Sequence, residues 1–205
     1  IDFVNNMSLK IMFAHRSRLL SKRLIIHPFT FVKGYFVFTN GRKMEIQTGY
    51  AYHVKDIYFN KAKDKYLMQN KEQGSYRPIL YCVEDKENGI LWMVPISSQY
   101  DKYEKIRKKI LDKGKPCKGI VLGEYDGQRA VYLPQNMFPV TFEYLDHVHT
   151  KNGNPIPVKK ELQKVIKKNV KSLLALNAKG LQVTFTDINK LKALMLHEID
   201  ENRID

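Results

Sequence analysis

The fold is decided by residues 76–113, YRPILYCVEDKENGILWMVPISSQYDKYEKIRKKILDK. Two runs rich in apolar, β-branched and aromatic residues, 77–85 and 90–97, lie on either side of Lys86-Glu87-Asn88-Gly89. An Asn-Gly pair between such runs is typical of a tight turn that joins two antiparallel strands. The stretch therefore predicts a β-hairpin whose second strand leads directly into a charged helix.

The start of this helix is a candidate binding site for a phosphodiester. Ser98 and Asp101 have the spacing of a capping box, which predicts that the serine caps the helix. The unpaired N–H groups and the dipole of a helix start attract anions. Arg77 on the partner strand adds a positive charge near Ser97 and Ser98 in the predicted hairpin. The helix itself carries a run of basic residues: Lys102, Lys105, Arg107, Lys108 and Lys109.

The rest of the chain alternates short strands and helices. Before residue 141 the patterns predict a strand at 50–54, a helix at 55–68, a hairpin of 119–125 with 128–133 across Asp126-Gly127, and a strand after residue 134. After it they predict a loop at 147–157, a helix at 158–176, a strand at 181–185 and a final helix that Asp187 caps and that ends near residue 197. The fold class is therefore α+β, with a small, partly closed antiparallel β-barrel surrounded by helices.

Residues 1–46 differ from the remainder in composition. They hold eight Lys or Arg and two acidic residues, a net charge of +6. A basic amphipathic helix is predicted at 8–24 and a short aromatic hairpin at 29–38, turning at Lys33-Gly34. We interpret residues 1–46 as an N-terminal extension of uncertain status and residues 47–205 as the functional domain.

The composition favours a nucleic-acid partner. The chain has a net charge of +14 over 205 residues, and its positive side chains repel one another unless a polyanion is bound. An anionic membrane surface is the competing interpretation, but it needs a cationic amphipathic face or a lipidation signal, and only the N-terminal segment comes close to that. No apolar run approaches the length of a membrane span. Cys82 and Cys117 have no metal-site spacing, so neither a zinc site nor a disulfide framework is indicated, and a reducing cytoplasm fits. No cofactor is expected.

An ordered set of motifs points to one family. Tyr52-His53-Val54-Lys55, RPILY at 77–81, WMVPISS at 92–98 followed by Asp101-Lys102-Tyr103, and NMFPV at 136–140 occur in that order. Across residues 48–196 the chain resembles the endoribonuclease toxins of type III toxin–antitoxin systems, the ToxN/AbiQ family, and most of all its CptN branch. The resemblance implies the barrel-and-helices fold of MazF/Kid-type toxins.

The same resemblance implies an activity and partners. It implies a cytoplasmic bacterial toxin, active in phage defence, that cuts single-stranded cellular or phage RNA without a metal and leaves 2′,3′-cyclic phosphate and 5′-OH ends. Its antitoxin would be a small structured RNA, a pseudoknot repeat that the toxin processes and that closes toxins into a higher-order assembly. Two alternatives stay open: a MazF-like toxin with a protein antitoxin, and a non-catalytic RNA-binding module.

Metal-free RNA cleavage requires a base, an acid and donors that stabilise the phosphorane. No carboxylate cluster with metal-site spacing is present, which disfavours a two-metal nuclease. His53 is the best titratable candidate. The resemblance implies active-site roles for Arg77, for Ser97 and Ser98, and for Tyr58. The family also places a lysine two residues beyond the serine pair, where this chain has Tyr100.

The candidate RNA-binding residues are aromatic or basic. Tyrosines near the proposed site are suited to stacking on unpaired bases, although some of them must belong to the core. An excess of lysines on the helix at 158–176 favours contact with phosphates over a merely solvated surface. The candidates are Tyr50, Tyr52, Lys55, Lys102, Lys105, Lys164, Lys167, Lys168 and Lys171.

Overall fold

The computed structural model describes residues 36–39, 42–72 and 74–201. The predicted helix at 8–24 and the predicted turn at Lys33-Gly34 lie outside these residues. The strands are β1 (Phe36–Thr39), β2 (Arg42–Glu45), β3 (Ala51–Val54), β4 (Lys71–Glu72), β5 (Ser75–Tyr76), β6 (Ile79–Asp85), β7 (Ile90–Ser97), β8 (Val121–Tyr125), β9 (Gln128–Tyr132), β10 (Phe138–Val140), β11 (Leu145–Val148), β12 (Thr150–Lys151) and β13 (Asn154–Pro155). The helices are α1 (Asp56–Ala62), α2 (Tyr100–Asp112), α3 (Lys160–Ala178) and α4 (Ile188–Glu201), with 3₁₀ turns at Pro134–Asn136 and Phe142–Tyr144.

Seven strands form the main antiparallel sheet. Their order is β11–β3–β6–β7–β9–β8, and β10 pairs with β7 off this path. The α+β prediction is confirmed. Closure of the sheet into a barrel is not, because β11 and β8, at the two ends of the order, do not pair within the described part of the chain. The MazF/Kid-like barrel is therefore not confirmed.

Strand β7 is the centre of the sheet and has three neighbours. β6 pairs along one edge, while the other edge pairs first with β10, at Leu91–Met93, and then with β9, at Ile96 and Ser97. Pro95 lies between the two stretches and has no N–H to donate. All eight residues of β7 are buried, as expected of a strand covered on both faces.

The two predicted hairpins are present, and both turns have the chemistry that the sequence indicates. Between β6 and β7, Gly89 has a φ of +70°. Between β8 and β9, Asp126 and Gly127 have φ values of +52° and +75°, which suits the twist of a two-residue turn. These turns fix the register that brings the ends of β6, β7 and β9 together.

The predicted cap of α2 is wrong. The helix begins at Tyr100 after Gln99, and no side chain caps it. The Ser97 hydroxyl accepts a hydrogen bond from the Gln99 N–H at 3.2 Å, so a turn at the end of β7 satisfies that N–H before the helix begins. Ser98 lies within this turn and is exposed.

Four other predicted boundaries change. The final helix, predicted to end near residue 197, extends to Glu201. Helix α1 is shorter than predicted, since it ends at Ala62 and Lys63 adopts a φ of +44°. Residues 181–185 form no strand, although the Phe185 N–H donates to the Gln135 carbonyl at 2.9 Å. The predicted loop at 147–157 contains the end of β11 and the small β12–β13 hairpin. The Asp187 cap is confirmed, because its carboxylate accepts from the Lys190 N–H at 3.0 Å.

The helices cover the sheet to different depths. α3 buries Ile166, Val170 and Leu173 and exposes its lysines. α2 buries no residue completely and packs on a small cluster formed by Ile120, Val131 and Leu133. Of the helices described, none is both long enough and apolar enough to span a membrane. β1 pairs with β2 and contacts β11, and the domain boundary at residues 46 and 47 stays a prediction.

Candidate active site

A cleft of about 280 Å³ lies where β5, β6 and β7 meet the β8–β9 hairpin. We call it the Arg77 cleft. Three of the predicted catalytic residues, Arg77, Ser97 and Ser98, line it together. Its remaining walls come from Ser75, Tyr76, Pro78, Ile96, Tyr125, Asp126, Gln128, Arg129, Ala130 and His149.

Arg77 is a buried residue of this cleft. It is 6% exposed, so it is not a solvated charge at the edge of the sheet. Its Nη1 donates to the Ile96 carbonyl at 3.0 Å and its Nε donates to the Gln69 carbonyl at 3.3 Å. Its own main-chain N–H donates to the Asn70 carbonyl at 2.7 Å. The guanidinium is therefore held in place by one main-chain acceptor on β7 and one in the loop before β4.

The two serines differ in exposure. Ser97, the last residue of β7, is 1% exposed and its hydroxyl oxygen accepts from the Gln99 N–H. Ser98 follows the strand and is exposed at the cleft. A fixed hydroxyl and an accessible one thus stand beside the arginine.

Three histidines gather on one face where β3 pairs with β11. Alternate residues of a strand face the same way. Tyr52 of β3 and Val148 of β11 pair and are both fully buried. Their neighbours His53, His147 and His149 therefore lie on the opposite face, which borders the Arg77 cleft through His149.

His53 is at the centre of this group. Its Nε2 lies 2.9 Å from Nδ1 of His149. Its ring stacks on that of His147, with centroids 4.4 Å apart, and meets the edge of Tyr76 at 6.3 Å. Its Nδ1 is buried and has no hydrogen-bond partner among the described residues.

The two half-buried histidines that contact each other, His53 and His149, have pKa values below the ordinary value of histidine. Burial, together with the neighbouring His147 and His149, lowers the pKa of His53 from 6.5 to about 4. Burial also lowers the pKa of His149, and the carboxylate of Asp126 opposes this only in part. His147 has a carboxylate partner of its own, because its Nδ1 lies 2.9 Å from Oδ2 of Asp146.

Sequence reasoning missed His149 as a site residue. The available signal is the His147-Val148-His149 alternation, which on a strand places both imidazoles on the same face. The breakers in residues 147–157 predict a loop there, and a loop carries no such alternation. His53, in contrast, is a predicted catalytic residue. It does not line the Arg77 cleft, but its ring contacts His149, which does.

Two predicted tyrosines belong to the core. Tyr58 is fully buried, and its hydroxyl donates to the Pro139 carbonyl at 2.8 Å. Tyr52 is also fully buried, and its hydroxyl accepts from the Gln47 N–H at 2.8 Å. Burial raises the pKa of Tyr58 well above 10 and that of Tyr52 to about 12. Side chains enclosed in this way cannot touch RNA, so neither belongs to the site.

Tyr50 and Lys55 are also remote from the Arg77 cleft. Tyr50 is half-buried against the main hydrophobic core and its main chain bridges to Pro157. Lys55 is exposed, and its Nζ donates to the Glu143 carbonyl at 2.7 Å in a separate cleft between α1 and α4. Neither residue lines the Arg77 cleft.

The remaining predicted basic residues are on the surface of two helices. Lys102 and Lys105 are exposed on α2, where Lys102 donates to Oε1 of Gln99 at 3.1 Å. Four more lysines are exposed on α3, and none of the four forms an ion pair within the described residues. We call these four the lysine face: Lys164, Lys167, Lys168 and Lys171. Lys164 and Lys167 also line a groove of about 310 Å³ that shares no lining residue with the Arg77 cleft.

The histidine group is not arranged as a metal site. Across the described residues, no three His, Cys, Asp or Glu side chains are placed so that they could hold one metal ion. The direct contact between His53 Nε2 and His149 Nδ1 leaves no space for an ion between those two nitrogens. Metal independence stays a prediction.

Comparisons with known proteins show a distant structural similarity. No protein-family model matches the chain, and no curated protein sequence matches it. Among solved structures, the chain is similar to AbiQ, described as a lactococcal anti-phage endoribonuclease belonging to the type III toxin–antitoxin system. The two chains are 18% identical, and the match covers 72% of this chain and 80% of AbiQ with a TM-score of 0.34. Because the two are so distant, roles for individual residues rest on the cleft itself.

Proposed function

We propose that this protein is a toxin-like endoribonuclease that cleaves single-stranded RNA in the Arg77 cleft. The observation that carries the proposal is that Arg77, Ser97, Ser98 and His149 line one cleft. The motif resemblance to type III toxins implies active-site roles for the arginine and the serines. The net charge of +14 supports a polyanionic substrate.

These residues are suited to transesterification at phosphorus. The 2′-hydroxyl loses its proton as its oxygen attacks the adjacent phosphorus, and the 5′-oxygen leaves and takes up a proton. The products are a 2′,3′-cyclic phosphate and a 5′-OH end. Negative charge develops on the non-bridging oxygens in the transition state, where preorganised donors are most effective. Arg77 is fixed by the Ile96 and Gln69 carbonyls before substrate binds, so its charge is placed without reorganisation. Ser98 offers an accessible hydroxyl beside it.

Aromatic and basic side chains at the rim of the cleft are suited to hold a single strand. Tyr76 lines the cleft, is 44% exposed, and its hydroxyl donates to Oδ2 of Asp56 at 3.0 Å. A fixed, exposed ring of this kind is a platform for one unpaired base. On the other side, the Arg129 guanidinium stacks on the ring of Tyr100 at 3.8 Å and forms an ion pair with Asp101.

We further propose that the inhibitor is a small structured RNA that binds the lysine face. Type III resemblance supports an RNA antitoxin, with a pseudoknot repeat that the toxin processes and a higher-order toxin–RNA assembly in the bacterial cytoplasm. The four lysines have no carboxylate partner among the described residues, so their charges are available to phosphates.

Native purification followed by a cleavage assay tests this function. The protein is purified without denaturant, its bound material is identified, and the ends of RNA that it cuts are labelled. We expect bound RNA, and cut products with 2′,3′-cyclic phosphate and 5′-OH ends. A bound acidic protein instead of RNA favours the MazF-like alternative. RNA that is bound but never cut, even after release of the bound antitoxin, favours the non-catalytic module and overturns the proposal.

A further inference from the structure

The contact between His53 and His149 restricts where protons can lie in the histidine group. Their facing nitrogens, Nε2 of His53 and Nδ1 of His149, are 2.9 Å apart, and only one of them can carry a proton in such a contact. A neutral pair holds two ring protons in all. The second proton must therefore lie on one of the two outer nitrogens, Nδ1 of His53 or Nε2 of His149.

The surroundings of the outer nitrogens decide between them. Nδ1 of His53 is buried and has no partner in the described part of the chain, so an N–H there would be an unsatisfied buried donor. His149 lines the Arg77 cleft, so its ring borders the space that a ligand would occupy. The second proton accordingly belongs to Nε2 of His149, and the proton between the rings belongs to Nε2 of His53.

We propose that His53 holds His149 in a single neutral tautomer, with the proton on Nε2, so that His149 donates a hydrogen bond to a phosphate oxygen in the Arg77 cleft. The inference rests on the proposed function in one respect, that the ligand of the cleft is a phosphodiester. His149 is then a catalytic residue, and His53, which is outside the cleft, is a positioning residue. The role predicted for His53 from the sequence changes accordingly.

The same geometry explains why the pair resists protonation. Adding one proton to the neutral pair gives three ring protons and one positive charge. Because the two facing nitrogens share only one proton, the other two must lie on the two outer nitrogens. The charged pair therefore always has an N–H on the buried Nδ1 of His53. The lowered pKa values of both histidines agree with this restriction. The other titratable or charged groups that face the pair are Asp146 and His147 on β11, Asp126 and Tyr125 at the β8–β9 turn, and Tyr76 on β5.

Nuclear magnetic resonance of the intact protein, with ¹⁵N-labelled histidine, tests the tautomer directly. Long-range ¹H–¹⁵N correlations distinguish an Nε2–H ring from an Nδ1–H ring without any need for cleavage. We expect both His53 and His149 to be Nε2–H tautomers at pH 7, with His53 still neutral at pH 5.5 and His149 titrating below its ordinary value. A proton on Nδ1 of His53, or a His149 that titrates at the ordinary value near 6.5, overturns the proposal.

Variants complete the test of the pair. His53→Ala should raise the pKa of His149 toward 6.5 and remove its preference for the Nε2–H tautomer. His53→Gln, whose amide N–H can donate near the position of Nε2, should preserve the Nε2–H tautomer of neutral His149. If His53→Ala does not fold, the glutamine variant and the wild-type spectrum still decide whether His53 fixes the tautomer of His149. His197→Ala is the matched control, because His197 is an exposed residue on α4.

The ligand probe is a single-stranded DNA hexamer, which lacks the 2′-hydroxyl and is not cut. It should shift the Nε2–H signal of His149 in the wild-type protein and leave that of His197 unchanged. An unshifted His149 signal under saturating DNA refutes the donor role. Since these measurements do not depend on RNA cleavage, an Nε2–H His149 in a protein that cuts no RNA would refute the proposed function and leave the tautomer intact.

Discussion

Neutralising the lysine face tests whether α3 binds RNA. The variant replaces Lys164, Lys167, Lys168 and Lys171 with alanine, which lowers the net charge of the chain from +14 to +10. All four side chains are exposed, and alanine suits a helix at least as well as lysine does. We therefore expect the free energy of unfolding to change by less than about 0.5 kcal/mol per site.

The expected change in the salt dependence of RNA binding follows from counterion release. Each phosphate that a lysine neutralises contributes roughly 0.7 to 0.9 to the slope of log affinity against log salt. Removing all four lysines should flatten that slope by about 3 units, and weaken binding most at low salt. Cleavage of an unstructured RNA should persist, because the groove beside the lysine face shares no residue with the Arg77 cleft.

The assay measures affinity for the co-purifying RNA between about 50 and 200 mM salt, the interval in which electrostatic binding changes steeply. A matched control removes the same charge from exposed lysines elsewhere: Lys65, Lys86, Lys115 and Lys190. The control should change the slope much less than the α3 variant does. Equal slopes for wild type and the α3 variant, or equal effects of the two variants, would show that the lysine face is an ordinary solvated surface.

Four further predictions address the cleft and its surroundings. Arg77→Ala should lower the cleavage rate by roughly 10²- to 10³-fold with little loss of RNA affinity; an unchanged rate in a folded variant removes Arg77 from the chemistry. Tyr58→Phe should cost about 1 kcal/mol in urea unfolding, since it loses the hydrogen bond to Pro139, and should leave cleavage unchanged; a slower cleavage step would return Tyr58 to the site. Cleavage should continue in excess EDTA, and a loss that Mg²⁺ reverses contradicts a metal-free mechanism. Because the folded pKa of His53, about 4, is below the unfolded value of 6.5, the unfolded chain binds more protons between those pH values. The free energy of unfolding should therefore fall by about 1–2 kcal/mol as the pH decreases from 6.5 to 4, a range reduced to allow for the partial exposure of His53. In urea titrations, His53→Ala should abolish most of this pH dependence of the free energy of unfolding.

Local turn and cap chemistry made much of the fold predictable. Asn88-Gly89 and Asp126-Gly127 form the turns that their residue types favour, with positive φ at Gly89, Asp126 and Gly127, and Asp187 caps α4 as its position indicates. Ser98 does not cap α2 because the helix begins one residue later than predicted, with Gln99 at the N-cap position, and the Tyr100 N–H donates to the Ser98 carbonyl instead of to its hydroxyl.

The candidate site was only partly predictable because it is assembled from distant parts of the chain. Arg77 and Ser97 belong to one hairpin, Arg77 just before β6 and Ser97 at the end of β7, so their proximity follows from the predicted register. His149 reaches them through the pairing of β11 with β3, which no local pattern specifies. Tyr58 shows the opposite error: a motif placed it at the site, whereas tertiary packing encloses it against Phe138 and Tyr144.

The two edges of β7 are completed at different times during synthesis. The β6–β7 hairpin closes over a short turn and can form on a microsecond timescale as soon as both strands exist. β9 and β10, which complete the other edge of β7, are made only afterwards, and His149 follows both. A nascent chain that ends before residue 128 thus carries Arg77 and both serines but lacks Arg129 and His149 from the cleft wall. Under the proposed function, the nascent chain therefore lacks the complete cleft until residue 149 has been made and β11 has paired with β3.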